Sequence, residues 1–116
     1  MRTLDSCVFC EVPDSLQIIG NNEAFVIEDK YPITKNHSLI IPRRHFSDFF
    51  EANVKEYAAI LDLLKQRKQQ LLELDDRIKG FNVGVNIGKV AGQAIFHCHI
   101  HLIPRRTGEI PNWDQN

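Results

Sequence analysis

Near one end of the chain the order His97-Cys98-His99-Ile100-His101-Leu102-Ile103 alternates imidazoles with small or apolar residues. A period of two is the mark of an extended strand, whose side chains point to opposite faces in turn. No other feature limits the local fold so tightly. With five histidines in 116 residues, three in strict alternation would arise by chance roughly 0.01 times per chain, so the row asks for a chemical reason. The pattern predicts a long strand from Ala94 to Pro104, with the three rings on one face and Cys98, Ile100 and Leu102 packed on the other.

Three uses of such a row can be weighed. The first is a polar sheet face carrying satisfied histidines, for which packing offers no benefit. The second is one metal ion held by all three. Positions four apart on a strand are separated by about 13.6 Å at 3.4 Å per residue, whereas ligating nitrogens sit about 2 Å from zinc, so at most two could share an ion. The third is a nucleophile with helpers: a neutral imidazole attacks, its far nitrogen is fixed by a hydrogen bond, and its neighbours donate to the developing charge. That use suits the middle histidine, His99. Upstream, Asn86-Ile87-Gly88-Lys89-Val90-Ala91-Gly92-Gln93 reads either as a plain hairpin loop or as a turn whose amides approach a phosphate. Its closeness to the histidines favours phosphoryl or nucleotidyl transfer, chemistry that is mostly positioning and charge stabilisation.

The remainder of the chain supplies a sheet and one helix. Leu16-Gln17-Ile18-Ile19-Gly20 and Ala24-Phe25-Val26-Ile27-Glu28 flank Asn21-Asn22 as the arms of a hairpin. His37-Ser38-Leu39-Ile40-Ile41-Pro42 is an apolar strand stopped by proline. Val54, Tyr57, Ala58, Leu61, Leu64, Leu71 and Ile78 recur at helical spacing, predicting a helix from Asn53 to about Lys79. Asn53 and Glu56 form its capping pair, and Gly80 is its left-handed stop. Phe81 to Asn86 then reads as a strand. The class is α+β: an antiparallel sheet of about five strands with one long helix on one face. Length and composition, 43% hydrophobic and 25% charged, fit a single domain over residues 1–116.

Charge excludes one class of partner. Fourteen Lys and Arg against fifteen Asp and Glu give a net charge of -1, which disfavours a chain that works by coating nucleic acid. Apolar runs as short as Leu39-Ile40-Ile41 do not span a membrane, and no signal-peptide stretch follows the first residues, so a soluble cytoplasmic protein is expected. Three cysteines, two of them at Cys7 and Cys10, suit a reducing compartment or a metal better than a disulfide framework.

Gly92-Gln93 followed by His97-Cys98-His99-Ile100-His101-Leu102-Ile103 resembles the signature of the histidine-triad (HIT) superfamily of nucleotide hydrolases and transferases. Asp29, the strand His37 to Pro42 and Arg43-Arg44-His45 also fall where that family has its ribose-binding acid and its strand-proline-basic segment. The resemblance runs from about Cys7 to Arg105. It implies that His99 is the nucleophile, attacking the α-phosphorus of a nucleoside phosphoramidate or dinucleoside polyphosphate to give a nucleotidyl-histidine that water resolves to a nucleoside monophosphate. His101 resembles the residue that bonds phosphate oxygens or the leaving atom, and His97 the supporting one. Asn86, Gly92 and Gln93 match positions near the α-phosphate, and Asp29 matches the acid that grips the ribose hydroxyls.

Ile18, Phe25 and Ile27 are candidates to frame the base, against a plain core-packing role, and a purine is expected from the area available. Ala94 stands where phosphoramidate-cleaving members commonly have Ser or Thr, whereas His101, often Gln in transferase branches, favours hydrolysis. A nucleotide-binding scaffold with little turnover is the competing reading. Some bacterial members complete a structural zinc site from a Cys-x-x-Cys pair, a histidine after the basic segment and the first triad histidine: here Cys7, Cys10, His45 and His97. The resemblance further implies a homodimer, to which Leu63, Leu72 and Leu74, off the main helical stripe, are candidate contributors.

Overall fold

In a computed structural model of the protein, residues 7–109 are described. Five strands and one long helix follow one another as β1 (Ile19–Gly20), β2 (Ala24–Glu28), β3 (Ser38–Pro42), α1 (Val54–Leu74), β4 (Ile78–Gly84) and β5 (Ile100–Arg106). The strands form one antiparallel sheet in the order β1-β2-β3-β5-β4. The crossover from β3 to β4 carries α1 over one face of the sheet, which is the α+β arrangement expected.

The hairpin turns where the polar pair predicted it. Asn21 Oδ1 accepts the backbone N–H groups of Glu23 and Ala24, an Asx turn that sets the register Gly20 to Phe25. Sheet periodicity then divides two apolar clusters. Ala24, Val26, Ile40, Ile100, Leu102 and Cys98 face α1 and pack with Ile60, Leu63 and Leu71. Phe25, Leu39 and Ile41 face the other way and pack with Cys7 and Phe9 of the amino-terminal segment.

The amino end of α1 is as expected: Asn53 Oδ1 accepts from Glu56 N at 2.8 Å, and Glu56 Oε1 accepts from Asn53 N at 2.9 Å. Its other end is not. The helix stops at Leu74, and Asp75 turns the chain by accepting from Arg77 N and from the guanidinium groups of Arg77 and Arg106. Gly80 is therefore no helix stop but a strand residue at the register shift between Ile78 and Gly80 opposite β5, a place where a missing side chain tolerates an irregular ladder. Lys79 and Ile78 likewise belong to β4.

The buried stripe of α1 is also rotated from the expected one. Glu56, Ile60, Leu63, Arg67 and Leu71 are inside, whereas Val54 and Leu61 are exposed. Two charged residues hold apolar positions because each is paired. Glu56 receives two 2.9 Å hydrogen bonds from Arg44, whose guanidinium is the main cause that holds its carboxyl below the usual range. Arg67 donates to Ser38 Oγ at 3.0 Å and to Glu28 at 3.3 Å. Leu63, expected on an outer face, is fully buried, while Leu74 is exposed and Leu72 half-buried.

The strand that begins at Ile100 is shorter than predicted. Residues 94–99 are irregular, because their polar groups are used outside the ladder: Cys98 N donates to Phe46 O at 2.7 Å, and His97 O accepts from a side chain. No helix among the described residues is long and apolar enough to cross a membrane.

Candidate active site and metal centre

The three alternating histidines lie on the face away from α1, with Cys98, Ile100 and Leu102 packed on the other as expected, but they do not share one environment. His97 is fully buried and turns toward the amino-terminal segment, whereas His99 and His101 line an open cleft of about 1420 Å³ on the sheet face opposite α1. The difference lies in what covers them: the Cys7-Cys10 turn closes over His97 and leaves His99 and His101 open to the cleft.

The protonation of each ring follows from its partners. His99 Nδ1 lies 2.8 Å from the carbonyl of His97, and a carbonyl only accepts, so Nδ1 carries the proton and Nε2 keeps the lone pair. At His101 the assignment is reversed. Ile33 N–H donates to His37 Nδ1 at 3.0 Å, so a neutral His37 carries its proton on Nε2 and donates it to His101 Nδ1 at 2.9 Å. His101 must then be protonated on Nε2. One cleft thus holds a lone-pair nitrogen and an N–H donor on neighbouring rings, whose centroids are 5.3 Å apart. Burial is the main cause that lowers the pKa of both, His101 to about 4, with the like-charged His99 and His37 adding to it. Neutral imidazoles are the form a nucleophile and a tautomer-specific donor require.

His37, which the sequence marks only as the start of a strand, joins the cleft histidines, and the signal that points to it is register. Ser38 pairs with Leu102 and Leu39 with His101, which leaves His37 just beyond the paired segment and near the last triad ring.

Asp29 stands beside this pair. Its Oδ1 accepts from Tyr31 N at 2.9 Å, and its Oδ2 lies 3.4 Å from His37 Nε2. By distance alone Asp29, His37 and His101 could converge on a cation. Donor chemistry opposes it, because the Nε2 of His37 is committed as a proton donor while Ile33 occupies its Nδ1 lone pair.

Of the other expected nucleotide contacts, Asn86, Gly92, Ile18 and Ile27 line the cleft together with Ala94. Gly92 adopts φ 97°, a left-handed conformation that closes the Lys89–Ala91 turn. Gln93 and Phe25 do not face the cleft. Gln93 is buried and fully engaged, accepting from Gly88 N at 2.8 Å and donating to Ser47 O and Ile95 O, so it braces the loop from behind. Phe25 is a core residue under the Arg43 guanidinium.

On the far side of His97 a second constellation forms. His97 Nε2–H donates to Pro42 O at 2.7 Å, leaving Nδ1 as a lone pair 3.4 Å from Cys7 Sγ, 3.5 Å from Cys10 Sγ and 3.2 Å from His45 Nδ1. Cys10 Sγ is 3.2 Å from His45 Nδ1, and the four atoms lie within 4.8 Å of one another. A tetrahedral zinc with bonds of about 2.0 Å to nitrogen and 2.3 Å to sulfur has edges of about 3.3 Å between nitrogens and about 3.5 Å between nitrogen and sulfur. The observed separations fit those edges. Burial, and then the adjacent Cys7, push the Cys10 thiol up to about 11, so a neutralising cation is what would favour the thiolate form. The third cysteine, Cys98, is buried in the core and pushed up to about 12 chiefly by burial, which makes it inert.

A five-stranded antiparallel sheet with one covering helix, with alternating histidines leading into its last strand, is the fold of the histidine-triad class. A family model described as the HIT domain matches residues 11–108, and the chain belongs to that family. It is 35% identical over 113 residues to an uncharacterized HIT-like protein of Mycoplasma genitalium, covering 93% of this chain and 79% of the relative. It is 33% identical over 115 residues to the adenosine 5'-monophosphoramidase HNT1 of Candida albicans, covering 91% and 74%. Among solved structures it is similar to a zinc-bound histidine triad family protein from Mycobacterium smegmatis, with a TM-score of 0.83 and 30% identity over 94% of this chain and 81% of that one.

Proposed function

We propose that this HIT protein is a nucleotide hydrolase that cleaves the α-phosphate linkage of nucleoside phosphoramidates or dinucleoside polyphosphates. The observation that carries the reading is the opposed tautomer pair: His99 offers a lone pair on Nε2, and His101 offers a proton on Nε2. His99 attacks the α-phosphorus and expels the amine or phosphate. His101 donates to a phosphate oxygen or to the leaving atom, and water then cleaves the nucleotidyl-histidine to release a nucleoside monophosphate. His97 supports this chemistry through its carbonyl, which holds the His99 ring.

Asp29 accepts hydrogen bonds from the ribose hydroxyls, Ile18 and Ile27 flank a purine, and Asn86 and Gly92 border the α-phosphate. The 33% identity to an adenosine 5'-monophosphoramidase supports the phosphoramidate class, whereas Ala94 removes the hydroxyl expected next to the leaving group. Cys7, Cys10, His45 and His97 hold a structural zinc, which ties the amino-terminal segment to the catalytic strand and, with four protein ligands, leaves no position for water. Two copies associate through the apolar outer side of α1 and β4, where Leu61, Leu64, Leu72, Phe81 and Val83 border a common groove. The working compartment is the cytoplasm.

The test is a turnover panel of adenosine phosphoramidate, a lysine-linked adenylate and diadenosine polyphosphates, with wild type and His99→Ala side by side. Release of nucleoside monophosphate by wild type alone is expected. Tight nucleotide binding with no turnover of any member would favour the scaffold reading.

A further inference from the structure

The nucleophile of this site sits on a segment that no sheet ladder holds. Pairing of β5 with β3 begins at Ile100, and residues 94–99 are irregular. One edge of the His99 ring is fixed by the carbonyl of His97. That bond alone leaves the ring free to swing about its own hydrogen bond, since an imidazole held at one nitrogen retains torsional freedom. Besides the neighbouring His101 ring, further support comes from the amino-terminal turn. Phe9 is buried, with 7% of its surface exposed, and its ring meets His99 at a centroid separation of 5.1 Å and an interplanar angle of 68°, and His97 at 6.0 Å and 87°. Both are the edge-to-face contacts that aromatic rings prefer. Phe9 lies between Cys7 and Cys10, in a turn closed by Cys10 N donating to Cys7 O at 3.2 Å.

We propose that Phe9 is a positioning residue for His99, wedged against the nucleophilic ring by the Cys7-Cys10 turn, so that the metal quartet and the nucleophile form one mechanical unit. His97 is the other half of that unit. Its side chain faces the cysteines while its carbonyl holds His99, so the turn and the carbonyl both bear on the imidazole. The coupling to metal rests on the structural-zinc reading above; the contact of Phe9 with His99 does not. Fixing a reacting atom within a fraction of an ångström contributes to the chemical step rather than to ground-state binding.

The experiment compares zinc-loaded wild type, Phe9→Leu and Cys10→Ser. Phe9→Leu keeps an apolar side chain of similar reach but removes the ring. Each protein is read for zinc per chain, for the dissociation constant of a nucleoside monophosphate, for the single-turnover rate of nucleotidyl transfer to His99, and for the His99 Nδ1–H proton resonance. Phe9→Leu is expected to retain one zinc and, because Phe9 also borders the cleft, to weaken monophosphate binding by less than it slows the chemical step. The single-turnover rate falls roughly 10- to 100-fold, and the Nδ1–H resonance broadens through faster exchange. Cys10→Ser is expected to lose zinc and to show the same broadening.

An unchanged single-turnover rate in Phe9→Leu, or a loss confined to monophosphate affinity, overturns the positioning role. A sharp Nδ1–H resonance and full rate in a zinc-free Cys10→Ser protein overturns the coupling. Failure of the hydrolase reading itself is distinct, since wild type would then transfer no nucleotidyl group while the Nδ1–H resonance would still report the contact.

Discussion

His97 and His101 belong to one run of alternating residues, yet their environments assign them opposite work. His97 donates its Nε2–H to a carbonyl and turns its Nδ1 lone pair toward two sulfur atoms and a third imidazole. His101 accepts on Nδ1 and keeps its proton on Nε2, facing the cleft. The first leaves a lone pair that a metal could take, the second a proton to donate. Identical side chains are thus sorted by what bonds their far nitrogen, a detail outside the coordination or reaction sphere that decides which atom is available inside it.

The contrast can be broken most sharply at the ring between the two. His99→Ala is expected to lower turnover by several orders of magnitude while nucleoside monophosphate still binds, as steady-state rates and equilibrium binding would record. Losses on the cleft side should then grade with distance from the reacting atoms. His101→Ala should cost roughly 10²- to 10³-fold in kcat. His37→Ala should cost roughly 10- to 100-fold, because His101 survives but its tautomer is no longer imposed.

On the metal side, the expected effect is on stability. Cys7→Ser should lose zinc by metal analysis and melt lower by roughly 10 °C, about 2 kcal/mol at roughly 4–8 °C per kcal/mol for a domain of this size. His99→Ala should keep its zinc.

A pH experiment sharpens the same contrast. His101 is depressed from its usual 6.5 to about 4 in the folded protein, first by burial. The unfolded chain therefore binds more protons between these values. The contribution of His101 to stability is complete above pH 6.5 and lost as the pH falls toward 4, on the order of 3 kcal/mol in all. In denaturant titrations, His101→Asn should show a flatter fall over that window than wild type. The smallest effect is expected at Asp29→Ala, which should weaken ribonucleotides by about 5-fold and 2′-deoxynucleotides by less, since one hydrogen bond is worth about 1 kcal/mol.

Much of this was legible in the sequence where local rules and the tertiary structure agree. The Asn21 turn, the Asn53-Glu56 cap and the stop at Pro42 needed only neighbouring residues. The quartet Cys7, Cys10, His45 and His97 was reached through family resemblance, and the fold brings its four ligand atoms together. What escaped depended on partners far along the chain. The buried stripe of α1 differs from the apolar periodicity because Glu56 and Arg67 lie inside only by virtue of Arg44, Ser38 and Glu28. Gly80 looked like a helix stop because Asp75 ends the helix with the help of Arg106, 31 residues away. Gln93 matches a position near the α-phosphate only through the family resemblance, and nothing beside it in sequence signals that Ser47 and Ile95 will engage it.

The central claim is that His99 alone among the five histidines attacks phosphorus while His97 faces the two cysteines. Rapid quench of the wild-type protein with adenosine phosphoramidate labelled at phosphorus, followed by peptide mapping at alkaline pH, tests it directly. Label confined to His99, and absent from His99→Ala, is the predicted result. Label on His97 or His101, or product formed with no labelled histidine at any time point, would contradict it.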